Sequence, residues 1–126
     1  MKKSVLLMLF VFTCTACSTH DERYYSLHPK ALQSAMTQCP EHALGALSCD
    51  QLKTIALRIN QLAYLLREDQ QGYGKKIISL QESRDVQVKQ VHDNPNQPEL
   101  KKALDETLRH LEERLAVVKW LESPEG

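Results

Sequence analysis

The sequence is poor in glycine and in aromatic residues: four glycines, two phenylalanines, four tyrosines and one tryptophan in 126 residues. That scarcity argues against a sheet-built domain and for helices. No repeat of solenoid length and no low-complexity tract occurs. No apolar run reaches the roughly 20 residues a membrane-spanning helix needs. Neither sign of charge dominates, with 16 basic and 16 acidic residues. Phosphate binding wants a clear basic excess, so no nucleic-acid partner is expected. Catalytic constellations are missing as well. The five histidines (His20, His28, His42, His92 and His110) include no pair at the i, i+4 spacing of a helical metal site. No nucleophile-elbow motif is present, and no cofactor is implied. The spelling Glu99-Leu100-Lys101 matches part of a restriction-type nuclease centre. It falls at the start of a predicted helix in a chain with no predicted strand, so a nuclease-like enzyme is the weakest of three functional readings.

What is there begins with Lys2 and Lys3, followed by the apolar run Val5 to Phe12 and the small residues up to Ala16. This is the layout of a secretory signal. Ala16 stands directly before Cys17, and Ser18 to Glu22 are abruptly polar. The arrangement resembles a bacterial lipobox, which implies cleavage before Cys17 and acyl chains on that cysteine. Cys14 occupies the position where such boxes usually carry Leu, Val or Ile. Acylation at Cys14, an ordinary signal cut near Ala16 and an uncleaved anchor are the competing readings. Ser18, rather than Asp, after the cysteine implies sorting to the outer membrane of a Gram-negative envelope, with the domain on the periplasmic side. Losing Lys2 and Lys3 with the signal leaves 14 basic against 16 acidic residues.

With residues 1–17 assigned to the signal, residues 18–25 read as a polar tether, 26–122 as one helical domain and 123–126 as a frayed tail. The remaining cysteines, Cys39 and Cys49, are an isolated pair in an oxidising compartment and read as a disulfide. A metal site of Cys39, His42 and Cys49 lacks a fourth ligand. Pro29 suits a first helical turn, and Leu32, Ala35, Met36 and Cys39 recur at helical spacing before Pro40. After a turn over 41–47, Ser48 and Gln51 spell a capping box. Leu52, Ile55, Ile59, Leu62 and Leu66 follow as a stripe, and Leu57, Tyr64 and Leu65 suggest a second contact face. Gln71-Gly72-Tyr73-Gly74 predicts a break, with Tyr73 either packed or offered as a contact. Ile77, Leu80, Val88 and Val91 mark the next helix. His92 to Pro98 is a turn. Leu100, Leu104, Leu108, Leu111, Leu115, Val118 and Leu121 line a final helix, with Asp105–Arg109 and Glu106–His110 as outer pairs. Trp120 ends that stripe as a core anchor or a partner contact.

The expected fold is all-α: a short helix stapled by the disulfide to a long interrupted helix, which folds back on a C-terminal helix as a coiled-coil-like hairpin. The lipobox, Tyr25-Ser26-Leu27-His28-Pro29, Met36-x-x-Cys39-Pro40 and Cys49 together resemble the small entry-exclusion (EexN-like) lipoproteins of conjugative type IV secretion systems, over about residues 1–56. The resemblance implies a non-enzymatic envelope lipoprotein that touches a protein of the secretion apparatus, with Cys39 and Cys49 as structural residues. A structural or cell-wall-associated lipoprotein is the second reading. The membrane, through the N-terminal lipid, and a second copy, through the long stripe, complete the expected partners.

Overall fold

A computed structural model describes residues 20–39 and 47–123. The signal segment with Cys14 and Cys17, most of the 41–47 turn with His42, and the last three residues lie outside them. Five helices and no strand occur among the described residues: α1 (Glu22–Leu27), α2 (Pro29–Thr37), α3 (Cys49–Glu68), α4 (Gln70–Asp93) and α5 (Pro98–Glu122). The all-α expectation holds, and the Cys39–Cys49 disulfide joins the end of α2 to the start of α3 across a Cα separation of 5.9 Å. None of the described helices is long and apolar enough to cross a membrane.

Of the tether expected over residues 18–25, the part from Glu22 onward is helical. Asp21 accepts a hydrogen bond from the Tyr24 amide at 2.9 Å and starts α1. Tyr25 and Ser26 are then buried at 5 and 2 % exposure. A side-chain cap and an aromatic residue that needs burial outweigh the polar composition. Pro29 ends α1, because the residue before a proline avoids helical angles. His28 sits at φ −127° and ψ 73°, and Pro29 becomes the first residue of α2. The single expected first helix is therefore two.

Ser48 and Gln51 form the full capping box, with bonds of 2.8 and 3.2 Å. Of the stripe, Leu66 is half-buried, and Leu52, Ile55, Ile59 and Leu62 are buried, with Ala63 beside them. Leu57, Tyr64 and Leu65 are not: they stand 72, 61 and 43 % exposed, so the expected second contact face of α3 is open.

The break in the long helix falls at Asp69, ahead of the glycine pair. Asp69 leaves helical geometry at φ −143° and ψ 79°, and its carboxylate accepts from the Gly72 amide at 2.8 Å. An Asp able to cap a new helix decides the position. The glycines follow inside the first turns of α4. A Cβ at Gly72 would collide with the capping carboxylate, whereas one at Gly74 meets nothing within 4 Å. Gly74→Ala is therefore expected to raise stability by about 0.5–1 kcal/mol in urea unfolding. Gly72→Ala should show no such gain, since the helix-propensity benefit is offset by a displaced cap worth about 1 kcal/mol.

The core gathers Tyr25, Leu32, Ala35, the α3 stripe, Tyr73 and Val117. On α5 the buried residues are Leu111, Glu113 and Val117, while Leu115 is 44 % exposed. The helix is rotated from its leucine stripe because α1 and α3 converge on its C-terminal half. Beyond the core, α4 and α5 run on as a two-helix hairpin. None of residues 81–110 is buried. At 1.5 Å per residue, the α4 side of this arm extends roughly 20 Å past Leu80.

Candidate functional site

Three surfaces could carry function. The most polar is a cluster where α1, α3 and α5 meet. Arg58 Nη2 donates to Glu22 Oε1 at 3.1 Å, to Ser26 Oγ at 3.0 Å and to Glu113 Oε1 at 3.0 Å. Arg109 Nη1 adds a longer bond of 3.4 Å to the same Glu113 oxygen. Glu113 is buried to 1 % exposure. Its second oxygen and Arg58 Nε are buried without a hydrogen-bond partner. Such a cluster fixes the register of three helices. It has no acyl-transfer geometry: Ser26 is buried, and its hydroxyl accepts from a guanidinium rather than facing an imidazole. The cluster was not legible in the sequence, where Arg58 and Glu113 both lie off the apolar stripes of their helices. No signal in the sequence marked it: the expected stripe carries Val118, and Val117, the buried valine one turn after Glu113, lies off that stripe. The outer pairs also rearrange. Glu106 and His110 do approach, at 3.9 Å. Arg109 turns instead to Glu113, and Asp105 lies 4.0 Å from Arg23.

Tyr73, which the sequence offers as either a packed ring or a contact, is buried at 6 % exposure. Its hydroxyl donates to the Arg114 carbonyl at 3.1 Å, and the Arg114 guanidinium lies 5.8 Å over the ring. The packed arrangement has a simple cause: the Asp69 cap turns the first turn of α4 toward α5. Burial pushes the Tyr73 phenol up to about 12, against a partial lowering by Arg114 and with a further rise from Glu113. The folded state holds this proton more tightly than the unfolded chain. Its contribution is complete below the unfolded value near 10 and is lost as pH rises toward 12. Tyr73→Phe should thus lose less stability than the wild type between pH 10 and 12, read by chemical denaturation across that window.

Trp120 is half-buried against the core and stands at the wall of a groove of about 440 Å³ between the α1–α2 junction and the end of α5. Tyr73 and Trp120 belong to the same hydrophobic cluster. Cys39 and Cys49 are bonded to each other. On the α4–α5 arm, Ile78, Val86 and Val88 are 56, 57 and 49 % exposed. Among the described residues, no three His, Cys, Asp or Glu side chains gather as a metal site.

No family model, curated protein or solved structure matches the chain.

Proposed function

We propose that the protein is a non-enzymatic envelope lipoprotein, anchored through Cys17, that binds a protein partner through the α4–α5 arm. The observation that carries this is the arm itself. It is a two-helix hairpin in which no residue from 81 to 110 is buried and Val86 and Val88 face solvent. A helix pair that buries so little draws stability from further packing, and a third or fourth helix is the usual source. The disulfide supports an oxidising compartment. The N-terminal resemblance supplies the setting, a conjugative type IV secretion apparatus whose subunits the arm would engage.

The test places a photo-crosslinking residue at Val86 on the arm, and at Lys53 on α3 as a control, in the full-length protein in cells. Capture of one secretion-system subunit from Val86, absent from Lys53 and lost on Cys17→Ser, is the expected result. Equal capture from both positions, or capture of abundant cell-wall proteins alone, would overturn it in favour of a structural lipoprotein. A Val86 crosslink to a second copy would assign the arm to a homodimer instead.

A further inference from the structure

The outer face of α3 is open, and its chemistry runs in the same order from either end. Leu57 and Tyr64 stand seven residues apart on it, 72 and 61 % exposed. Among the described residues, no other large apolar side chain is as exposed as Leu57. Asn60 and Gln61, both exposed, lie between the two. Lys53, four residues before Leu57, and Glu68, four residues after Tyr64, are exposed as well and close the strip with opposite charges. The order is thus charge, apolar residue, carboxamide pair, apolar residue, charge. Spacings of three and four put all six on one stripe, away from the buried Leu52, Ile55, Ile59 and Leu62.

A two-fold interface requires such an order, because each residue of one copy must suit its counterpart on the other. With two α3 helices antiparallel about an axis between Asn60 and Gln61, Leu57 comes level with Tyr64 of the second copy. Lys53 comes level with Glu68 of the second copy, and Asn60 with Gln61. A carboxamide both donates and accepts, so amides near the axis can bond to each other, where charges of one sign would repel. Lys53 lies 3.8 Å from Asp50 in its own helix, but with side chains 60 and 94 % exposed that contact is weak. Its ammonium has three donors and can keep Asp50 while it reaches Glu68 of the copy. A parallel pair would instead set Lys53 level with Lys53 and Glu68 level with Glu68. The α5 stripe, the other expected route to pairing, has Leu111 buried.

We propose that the outer face of α3 is a homodimer interface, in which two copies pack α3 against α3, antiparallel, about an axis beside Asn60 and Gln61. The strip is about 28 Å long and one helix wide. That is less than a standard interface of roughly 1,200–2,000 Å² supplies, so the dimer is a reversible one. The α4–α5 arm takes no part in it and stays available to its own partner.

The test co-expresses two full-length chains that carry different affinity tags, with a photo-crosslinking residue at Gln61 and, as a control, at Lys101 on the arm. The expected product is a dimer bearing both tags from Gln61 and none from Lys101. Leu57→Ser should abolish it. Lys53→Glu or Glu68→Lys, present in both chains, should each weaken the dimer by about tenfold, since two opposite pairs become two like pairs. The decisive arm puts Lys53→Glu on one tagged chain and Glu68→Lys on the other. Every level pair between unlike chains is then opposite in charge, so the mixed-tag dimer should return while the same-tag dimers stay weak. Only pairing between copies, in this antiparallel sense, produces that pattern. All four substituted side chains lie on the surface, so the fold survives them. A photo-crosslinker at Lys53 should also capture a second copy, which is distinct in identity from a subunit captured at Val86. Absence of a Gln61 dimer, equal yield from Lys101, indifference to Leu57→Ser or failure of the mixed pair to recover would overturn the proposal. Capture of a different protein from Gln61 would also overturn it and give the α3 face to that protein.

Discussion

Substitution of Arg58 by methionine is expected to lower the free energy of unfolding by about 3–5 kcal/mol. The guanidinium is the common donor to Glu22, Ser26 and Glu113, and it is the main partner of a carboxylate that is almost wholly buried. Without it, Glu113 keeps only the longer bond from Arg109. Desolvation of that carboxylate is then largely uncompensated. Glu113→Leu should cost less, about 2–3 kcal/mol. Arg58 retains Glu22 and Ser26, and its own side chain is 28 % exposed, so water takes over part of the lost interaction. The double variant, Arg58→Met with Glu113→Leu, should return to within about 1 kcal/mol of the wild type, since apolar side chains of similar volume replace a buried pair at little net cost. Urea unfolding of the four proteins closes the cycle. Single substitutions that each cost under 1 kcal/mol, or a double that costs their sum, would show that the cluster does not hold the three helices together.

The same cluster marks where sequence reasoning stops. Periodicity located α3 and α5, because an apolar stripe at spacings of three and four needs no partner to be recognised. The Ser48–Gln51 box was legible for the same reason: its bonds close within four residues. The Cys39–Cys49 pair followed from count and compartment rather than from position. What failed depended on a neighbour. Leu115 belongs to a continuous stripe, yet faces solvent because convergence of α1 and α3 turns α5 toward Glu113 and Val117. Tyr25 sits in a polar segment, yet is buried because Asp21 caps a helix that carries it inward. The break before α4 was placed at the glycines by their propensity, whereas the decisive residue is Asp69, whose carboxylate holds the Gly72 amide. Tyr73 and Trp120 each allowed two readings: Tyr73 takes the packed one, and Trp120 is half-buried at the wall of a groove. A single aromatic residue at the edge of a stripe carries no signal of which side it will face. The arm is legible only in part: the turn before Pro98 shows that α4 and α5 fold back, but how far the hairpin outruns the core depends on the lengths of α1, α2 and α3.

Removal of the disulfide is the other large effect. The double substitution Cys39→Ser, Cys49→Ser should cost about 2–3 kcal/mol, the loop-closure entropy of a cross-link with a sequence separation of 10. Small domains commonly have 5–15 kcal/mol in total, so this is a substantial fraction. The melting temperature should fall by roughly 10–20 °C. The reason lies in α2. It has nine residues, buries only Pro29, Leu32 and Ala35, and has no side-chain cap on its first turn. A helix so short does not persist without tertiary support. Pro29, Leu32 and Met36 line a cleft together with Ala56 and Ile59 of α3 and Trp120 of α5. With the bond gone, α2 should loosen first, and Trp120 emission should shift to the red before the helical signal at 222 nm is lost. In the disulfide-bonded protein the two signals should fall together. Reductant should reproduce the effect in the wild type and leave the Ser/Ser variant unchanged. A loss below 1 kcal/mol, or coincident transitions in the Ser/Ser variant, would show that α2 is held by its apolar contacts alone and that the bond adds little to the fold.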